Sequence, residues 1–153
     1  VDEGAGRAAR GRFELRVRWS DVDLFGHVNN GAFLRYLDDA RFAVLPTMGV
    51  DATGRLTDTM LVVVKHEIDY VAPAPFRPEP LAVELWVPRI GRTSVDIAYE
   101  VLDATGDAPA TYVRALSRMV QVEALTQAPR AFDEEQRGLL GAWSGPGPVL
   151  RGW

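Results

Sequence analysis

Cysteine is absent from the 153 residues, which removes disulfides, thiolate nucleophiles and cysteine-based metal centres from consideration. Histidine is scarce. His27 and His66 are the whole supply, and they lack the i,i+4 spacing with which one helix grips zinc, so no metal site is expected. Basic charge is not in excess: Lys and Arg number 17 against 21 Asp and Glu, a formal net charge of -4. The basic face of a polyanion binder is missing, and nucleic acid is not an expected partner. No apolar run approaches the ~20 residues of a membrane-spanning helix, and residues 1–7 carry charge and glycine without an apolar signal region. No membrane partner is expected, and the composition reads as that of a cytoplasmic protein. Glycine-rich phosphate loops and a Gly-x-Ser-x-Gly elbow are also missing, so no organic cofactor is expected.

What is present fits one folded domain. Hydrophobic residues make up 47% of the chain and charged residues 25%. A chain of this length buries roughly 70% of the surface it exposes when unfolded, which leaves whole faces open to association. Residues 1–11 read as a flexible leader, 12–142 as the domain, and 143–153 as a flexible tail opened by Ser144-Gly-Pro-Gly-Pro148.

Within the domain, residues 13–19 alternate, with Phe13, Leu15, Val17 and Trp19 on one side and Glu14, Arg16 and Arg18 on the other, a half-buried strand. A loop follows to Val28. Asn29 and Asn30 then open a helical pattern in which Phe33, Leu37, Ala40 and Val44 form the apolar stripe, widened by Leu34 and Tyr36. Pro46 and Gly49 end it, and a loop containing Asp51-Ala-Thr-Gly54 leads on.

Four strand-like runs come next, at 60–70, 81–89, 93–102 and 111–123. Ile90-Gly91-Arg92 and Asp103-Ala-Thr-Gly106 join the last three as antiparallel hairpins, while Pro73, Pro75, Pro78 and Pro80 make a rigid connection between the first two. In the run 60–70, strict alternation puts Val62, Val64, His66, Ile68 and Tyr70 on one face. Asp133-Glu-Glu-Gln136 is a capping-box variant that starts a short helix to about Ala142. One long apolar helix followed by an antiparallel sheet is an α+β fold. The economical way to bury the helix stripe is for the sheet to curl around it.

The chemistry-bearing residues concentrate between the first strand and the long helix. Asp21, Asp23, His27, Asn29 and Asn30 fall within ten positions. The first amides of a helix lack intrahelical partners and carry the positive end of its dipole, so they can hold a carbonyl oxygen as negative charge develops. A carboxylate at Asp23 can fold back to the carbon of the same carbonyl, to attack it or to activate water. Gly26 permits the turn between them. Spacing alone favours a plainer reading, in which the Asp and Asn side chains only form turns and caps and His27 is an ordinary loop residue. His66, on an apolar face, is either a hydrogen-bonded structural histidine or a pocket residue.

The stretch Arg18-Trp-Ser-Asp-Val-Asp-Leu-Phe-Gly-His-Val-Asn-Asn30, followed by Tyr36-Leu-Asp-Asp-Ala-Arg41, resembles the Asp-x-Asp-x-x-Gly-His-x-Asn-Asn motif and following helix of the hotdog-fold acyl-CoA thioesterases of the 4-hydroxybenzoyl-CoA thioesterase group. The resemblance extends through Val64-Lys-His-Glu-Ile-Asp-Tyr70 and Gly91-Arg-Thr-Ser94. It implies a five-stranded antiparallel sheet wrapped around one long central helix, with a short C-terminal helix. It also implies hydrolysis of an acyl thioester of coenzyme A or of an acyl carrier protein, with coenzyme A entering as part of the substrate rather than as a cofactor.

By the same resemblance Asp23 is the catalytic carboxylate and the Asn30 amide polarises the carbonyl, with His27 as a supporting catalytic-loop residue; His27 and Asn29 shape the loop and contact the acyl group, and Gly26 lets the substrate approach the backbone. Phe33, Tyr36, Val64 and His66 are candidates for the pocket. Arg89, Arg92, Thr93 and Ser94 are candidates for the pantetheine and phosphate end, reached across the interface of a homodimer or homotetramer. Two other activities remain to be separated from hydrolysis. Hotdog hydratases resemble one another in an Asp-x-Asn-Pro-x-His arrangement, and here Asp23 and His27 enclose only Leu24-Phe-Gly26. A non-catalytic acyl-thioester binder would use the same pocket.

Overall fold

A computed structural model describes residues 9–48 and 58–152 of the chain. In chain order they form β1 (Gly11–Leu15), α1 (Asn30–Val44), β2 (Thr59–Tyr70), β3 (Leu81–Ile90), β4 (Ser94–Asp103), β5 (Thr111–Glu123) and α2 (Glu134–Gly141), with short 3-10 turns at Trp19–Asp21 and Leu45–Met48. The strands make one sheet in the order β1-β3-β4-β5-β2, every neighbouring pair antiparallel. Its inner face, built from Val83, Leu85, Ile97, Val101, Val113 and Ala115 among others, closes on the apolar stripe of α1. Leu37 and Ala40 of that stripe are wholly buried. This is the hotdog arrangement expected from the motif, and the helix stripe is the reason for it: a buried leucine contributes ~1.5–3 kcal/mol relative to an exposed one.

Two elements depart from strict alternation. β1 stops at Leu15, opposite Leu81, because the next partner position, just before β3, is Pro80, which has no N–H to give. The backbone then turns, with Asp21 N donating to Arg18 O at 2.9 Å. Trp19, expected on the buried side, is 81% exposed as a result. In β2 the pairing with β5 shifts between Val63 and Lys65. Val64 is the extra residue of a bulge, so the sides exchange there. Met119, Ser117, Ala115 and Val113 of β5 therefore face Val63, His66, Ile68 and Tyr70. Val62 and Val64 do not share the inner face with His66, and Val64 is 57% exposed.

The ends of the domain are tied to the sheet, along the β3 edge by backbone pairing and over its outer face by side chains. Gly11 already pairs with Leu85. Arg10 lies 3.8 Å from the centroid of Trp86 and bridges Glu84 and Glu100 at 3.0 and 2.8 Å. After α2, Val87 N donates to Trp143 O (2.9 Å), Trp86 Nε1 to Pro146 O (2.7 Å), and Arg151 N to Asp69 Oδ2 (2.5 Å). Residues 143–151 thus cross the sheet from β3 to β2. Residues 1–8, Gly49 and the Asp51–Gly54 turn lie outside the described residues.

A polar chain threads the core from α1 to β2. Arg41, on the buried side of α1, pairs with Asp38, and its Nη1 donates to the Tyr99 hydroxyl at 3.0 Å. Tyr99 also hydrogen-bonds Ser117, and Ser117 Oγ lies 2.6 Å from His66 Nδ1. Arg41, Tyr99 and Ser117 are 5%, 0% and 0% exposed. His66, exposed on its strand, is thus hydrogen-bonded to Ser117 and also borders a surface hollow with Ile68, Asp69 and Arg151. Burial, and then the positive charge of Arg41, hold its pKa below the ordinary value.

Candidate active site between the loop and the first helix

The segment between β1 and α1 folds back on itself as a small ladder. Asn29 N donates to Asp21 O (2.8 Å), Val22 and Val28 form an antiparallel bridge, and Asp23 N donates to His27 O (3.0 Å). At its tip Gly26 N reaches Asp23 O at 3.1 Å. Gly26 has φ of +77°, a left-handed conformation that glycine adopts without penalty. A second line of bonds fastens the ladder to the segment after β2: Val28 N donates to Ala74 O at 2.8 Å, and His27 bridges Pro75.

The ladder delivers the chain to α1 in a defined state. Asn29 is the N-cap, its side-chain oxygen accepting from Gly31 N at 2.8 Å and its carbonyl from Ala32 N at 2.9 Å. The Gly31 and Ala32 amides are thereby engaged. The Asn30 amide, first in the helix, has no acceptor among the described residues. On the facing side, Asp23 Oδ1 accepts from Phe25 N at 2.9 Å, and Oδ2 accepts no hydrogen bond among the described residues.

Asp23, His27, Asn30 and Phe33 line one cleft of about 410 Å³, closed by Tyr70 and residues 71–74. Tyr70 was not among the residues singled out from the sequence. Its hydroxyl donates to Asn30 O at 3.1 Å, its ring lies 5.9 Å from that of Phe33, and burial raises its pKa. The bulge in β2 leaves Tyr70 on one side with His66 and Ile68, the face that alternation assigns to it.

A larger hollow of about 620 Å³ lies on the other side of the ladder, lined by Arg16, Arg18, Asp21, Arg35, Tyr36 and Asp38 among others. Its charged side chains are of both signs, and it has no unengaged helix amide, so the smaller cleft is the better candidate for chemistry. Tyr36 belongs to this second hollow: its hydroxyl donates to Asp21 Oδ2 at 2.7 Å. Asp21 is 6% exposed and also accepts from Arg18 N (3.1 Å) and Arg35 Nη2 (3.3 Å). Burial raises the Asp21 carboxyl, but these three hydrogen bonds outweigh it and hold the pKa below the usual range. Burial and the Asp21 charge push the Tyr36 phenol well above its ordinary value.

The remaining sequence candidates stand apart from the cleft within one chain. Gly26 and Asn29 shape it without lining it, Val64 projects from the bulge, and His66 meets Ser117 further along β2. Arg89, Arg92, Thr93 and Ser94 sit at the opposite end of the sheet. Tyr70 is level with Val113 of β5 and Ser94 with Val120, a separation of roughly 23 Å at strand rise. Arg89 donates to Ser94 Oγ at 3.1 Å and lies 3.6 Å from Asp96. Thr93 O and Arg92 O accept from Gln121 N and Phe132 N.

Among the described residues no cluster of three or more His, Asp or Glu could hold a metal ion, and no helix is long and apolar enough to cross a membrane. A free carboxylate oxygen and a free helix-terminal amide bordering one small cleft can act together on a polarised carbonyl.

Residues 17–140 match the model of the thioesterase-like superfamily. No curated protein sequence matches the chain. Among solved structures, the chain is similar to a protein of Pseudomonas aeruginosa strain PAO1 at 27% identity and a TM-score of 0.76, covering 90% of this chain and 93% of that one. It is similar in fold to a 1,4-dihydroxy-2-naphthoyl-CoA thioesterase from Synechocystis (20% identity, TM-score 0.73, covering 87% and 96%). The same holds for a predicted thioesterase from Bacillus stearothermophilus (21%, 0.78, covering 92% and 100%).

Proposed function

We propose, for a chain that belongs to the thioesterase-like superfamily, that it hydrolyses acyl-coenzyme A thioesters to the free acid and coenzyme A. The observation that carries this reading is the pairing of the unengaged Asn30 amide with the Asp23 carboxylate on the same 410 Å³ cleft. The thioester oxygen accepts from Asn30 N–H, where charge develops in the transition state. A donor so placed contributes about 2.7–4 kcal/mol. Asp23 then acts in one of two ways. As a nucleophile, Oδ2 attacks the carbonyl carbon, the carbon–sulfur bond breaks, and the coenzyme A thiolate leaves and is protonated; water afterwards opens the resulting anhydride. As a general base, Asp23 takes a proton from the attacking water. Phe33 and Tyr70 give the acyl group an apolar wall beside the reacting carbon.

The proposal includes a second copy of the chain. β2 is a sheet edge of 12 residues, and an edge of that length invites pairing. Antiparallel pairing of two β2 strands reverses one sheet relative to the other. It brings the β3–β4 turn of the second copy, with its Arg89, Arg92, Thr93 and Ser94, to the same end of the double sheet as the first copy's cleft. The substrate's phosphates are then met across the dimer, whether or not dimers pair further into tetramers. Cytoplasmic residence, expected from the cysteine-free composition, belongs to the same proposal.

Release of free thiol from a panel of acyl-coenzyme A and acyl-carrier substrates tests the reading. Turnover of at least one thioester supports it. Binding without thiol release makes the chain an acyl-thioester binder instead, and hydration of crotonyl-coenzyme A without thiol release makes it a hydratase.

A further inference from the structure

We infer that Asp21 is the positioning residue of this site, setting the Asn30 amide against the Asp23 carboxylate without touching the substrate. For its kinetic consequence the inference rests on the thioesterase reading. Its structural basis does not.

A turn or cap aspartate would be exposed and make one or two local bonds. Asp21 is instead 6% exposed and is joined to four residues: Arg18 before the ladder, Asn29 at the helix cap, and Arg35 and Tyr36 within α1. Its carboxylate accepts from Arg18 N before the ladder (3.1 Å) and from two side chains of α1, the Tyr36 hydroxyl (2.7 Å) and Arg35 Nη2 (3.3 Å). Its carbonyl accepts from Asn29 N, the N-cap of the same helix, at 2.8 Å. The residue therefore holds both the body of α1 and its first turn.

The geometry of the cleft follows from those bonds. Asp21–Asn29, Val22–Val28 and Asp23–His27 are successive rungs. The first rung precedes the Asn30 amide by one residue, and the last carries Asp23. With the Asp21 carboxylate anchored to α1, the ladder cannot slide or tilt against the helix, so the distance between Asn30 N and Asp23 is fixed before substrate arrives. Chemistry that uses both groups in the transition state is sensitive to that distance. A displacement of about 1 Å costs on the order of 10²-fold in rate. Tyr36, which the sequence placed in the pocket, works through Asp21 from the far side of the ladder.

Three variants test this: Tyr36→Phe, which removes one donor and keeps the ring; Asp21→Asn, which keeps an acceptor for Tyr36; and Asp21→Ala. Each is first shown to be folded at the assay temperature by thermal unfolding. The expected result is a fall in kcat of about 10–100-fold for Tyr36→Phe with KM within a few-fold, in keeping with the cost of small misplacements. Asp21→Asn should lie closer to wild type than Asp21→Ala. Folded variants with wild-type kcat would overturn the positioning role.

The second readout needs no turnover. In ¹⁵N NMR spectra of the full chain, the Asn29 and Asn30 amides should shift, and Asn29 should exchange with solvent faster, in Tyr36→Phe and Asp21→Asn. Unmoved amides refute the inference even if the enzyme is active. Shifted amides in a chain that hydrolyses no thioester uphold it and refute the thioesterase reading alone.

Discussion

Replacing Tyr99 with phenylalanine removes a single oxygen from the middle of the molecule, and the surroundings of that oxygen set what its loss costs. Tyr99 is fully buried. Its hydroxyl accepts from Arg41 Nη1 at 3.0 Å and hydrogen-bonds Ser117, which in turn meets His66. Arg41 is 5% exposed, so its charge cannot turn to water when the acceptor goes. A hydrogen bond to a charged group contributes ~1.5–3 kcal/mol, and a buried donor left without its partner carries a desolvation penalty of similar size. The ring itself is kept, so no cavity term is added. Tyr99→Phe should therefore lower stability by about 2–3 kcal/mol, a large share of the 5–15 kcal/mol typical of a domain.

Urea unfolding at fixed protomer concentration measures this as a lower midpoint with unchanged slope. Arg41→Met combined with Tyr99→Phe should recover part of the loss, because an apolar pair leaves no charge stranded. A single variant within 0.5 kcal/mol of wild type, roughly the scatter of a neutral surface change, would refute the chain of bonds from Arg41 to His66.

The same network gives a pH dependence. With His66 titrating below 6.5 in the folded state, the unfolded chain binds the extra proton, so stability rises as pH rises through the folded pKa towards 6.5 and falls on acidification. A ring-proton titration of His66 at or above 6.5 contradicts this. Gly26→Ala places an L-residue at φ of +77° with nothing within 4 Å of its new Cβ, so backbone strain alone should cost about 1–2 kcal/mol. Gly26→Asn should cost less, and an alanine variant as stable as wild type would mean the turn is not left-handed. Val64→Glu charges the exposed bulge of the β2 edge; the mass in solution, measured by light scattering, should fall to that of one chain, and an unchanged mass would exclude this edge as the contact between copies.

The fold was legible where a pattern had a single physical solution. The stripe from Phe33 to Val44 is buried most economically by a curved sheet, and the boundaries of α1, β3, β4 and β5 agree with periodicity and turn chemistry to within a residue or two. It was not legible where one residue changed the register. Strict counting in β2 cannot reveal the bulge at Val64, since valine is equally at home on either side. The error stays local: alternation keeps His66, Ile68 and Tyr70 together, as the structure does, and wrongly adds Val62 and Val64 to their face. Alternation puts Trp19 on the buried side of the first strand, yet the strand ends where Pro80 offers no partner.

At the site, the motif points to Asp23 and to the helix terminus at Asn30, which border one cleft; a free amide there follows from helix geometry itself. The work of Asp21 was hidden for a different reason. Its partners Tyr36 and Arg35 lie 15 and 14 positions away, and no local pattern tells a buried carboxylate with three donors from a turn aspartate. Tyr36, a pocket candidate by the motif, bonds Asp21 and borders the second hollow. Arg10 was read as part of a loose leader, although its guanidinium sits on Trp86 between two glutamates from different strands. Contacts across a sheet leave no trace in the spacing of one strand.

Steady-state hydrolysis of the best acyl-coenzyme A substrate by Asp23→Asn tests the central claim most directly. The substitution preserves size and the bond from Phe25 N, and removes the charge that attacks or activates water. The expected result is a folded protein of unchanged melting temperature with kcat lower by about 10²–10⁴-fold, the usual contribution of a positioned acid–base group. Turnover within a few-fold of wild type would show that the carboxylate of Asp23 does not carry the reaction.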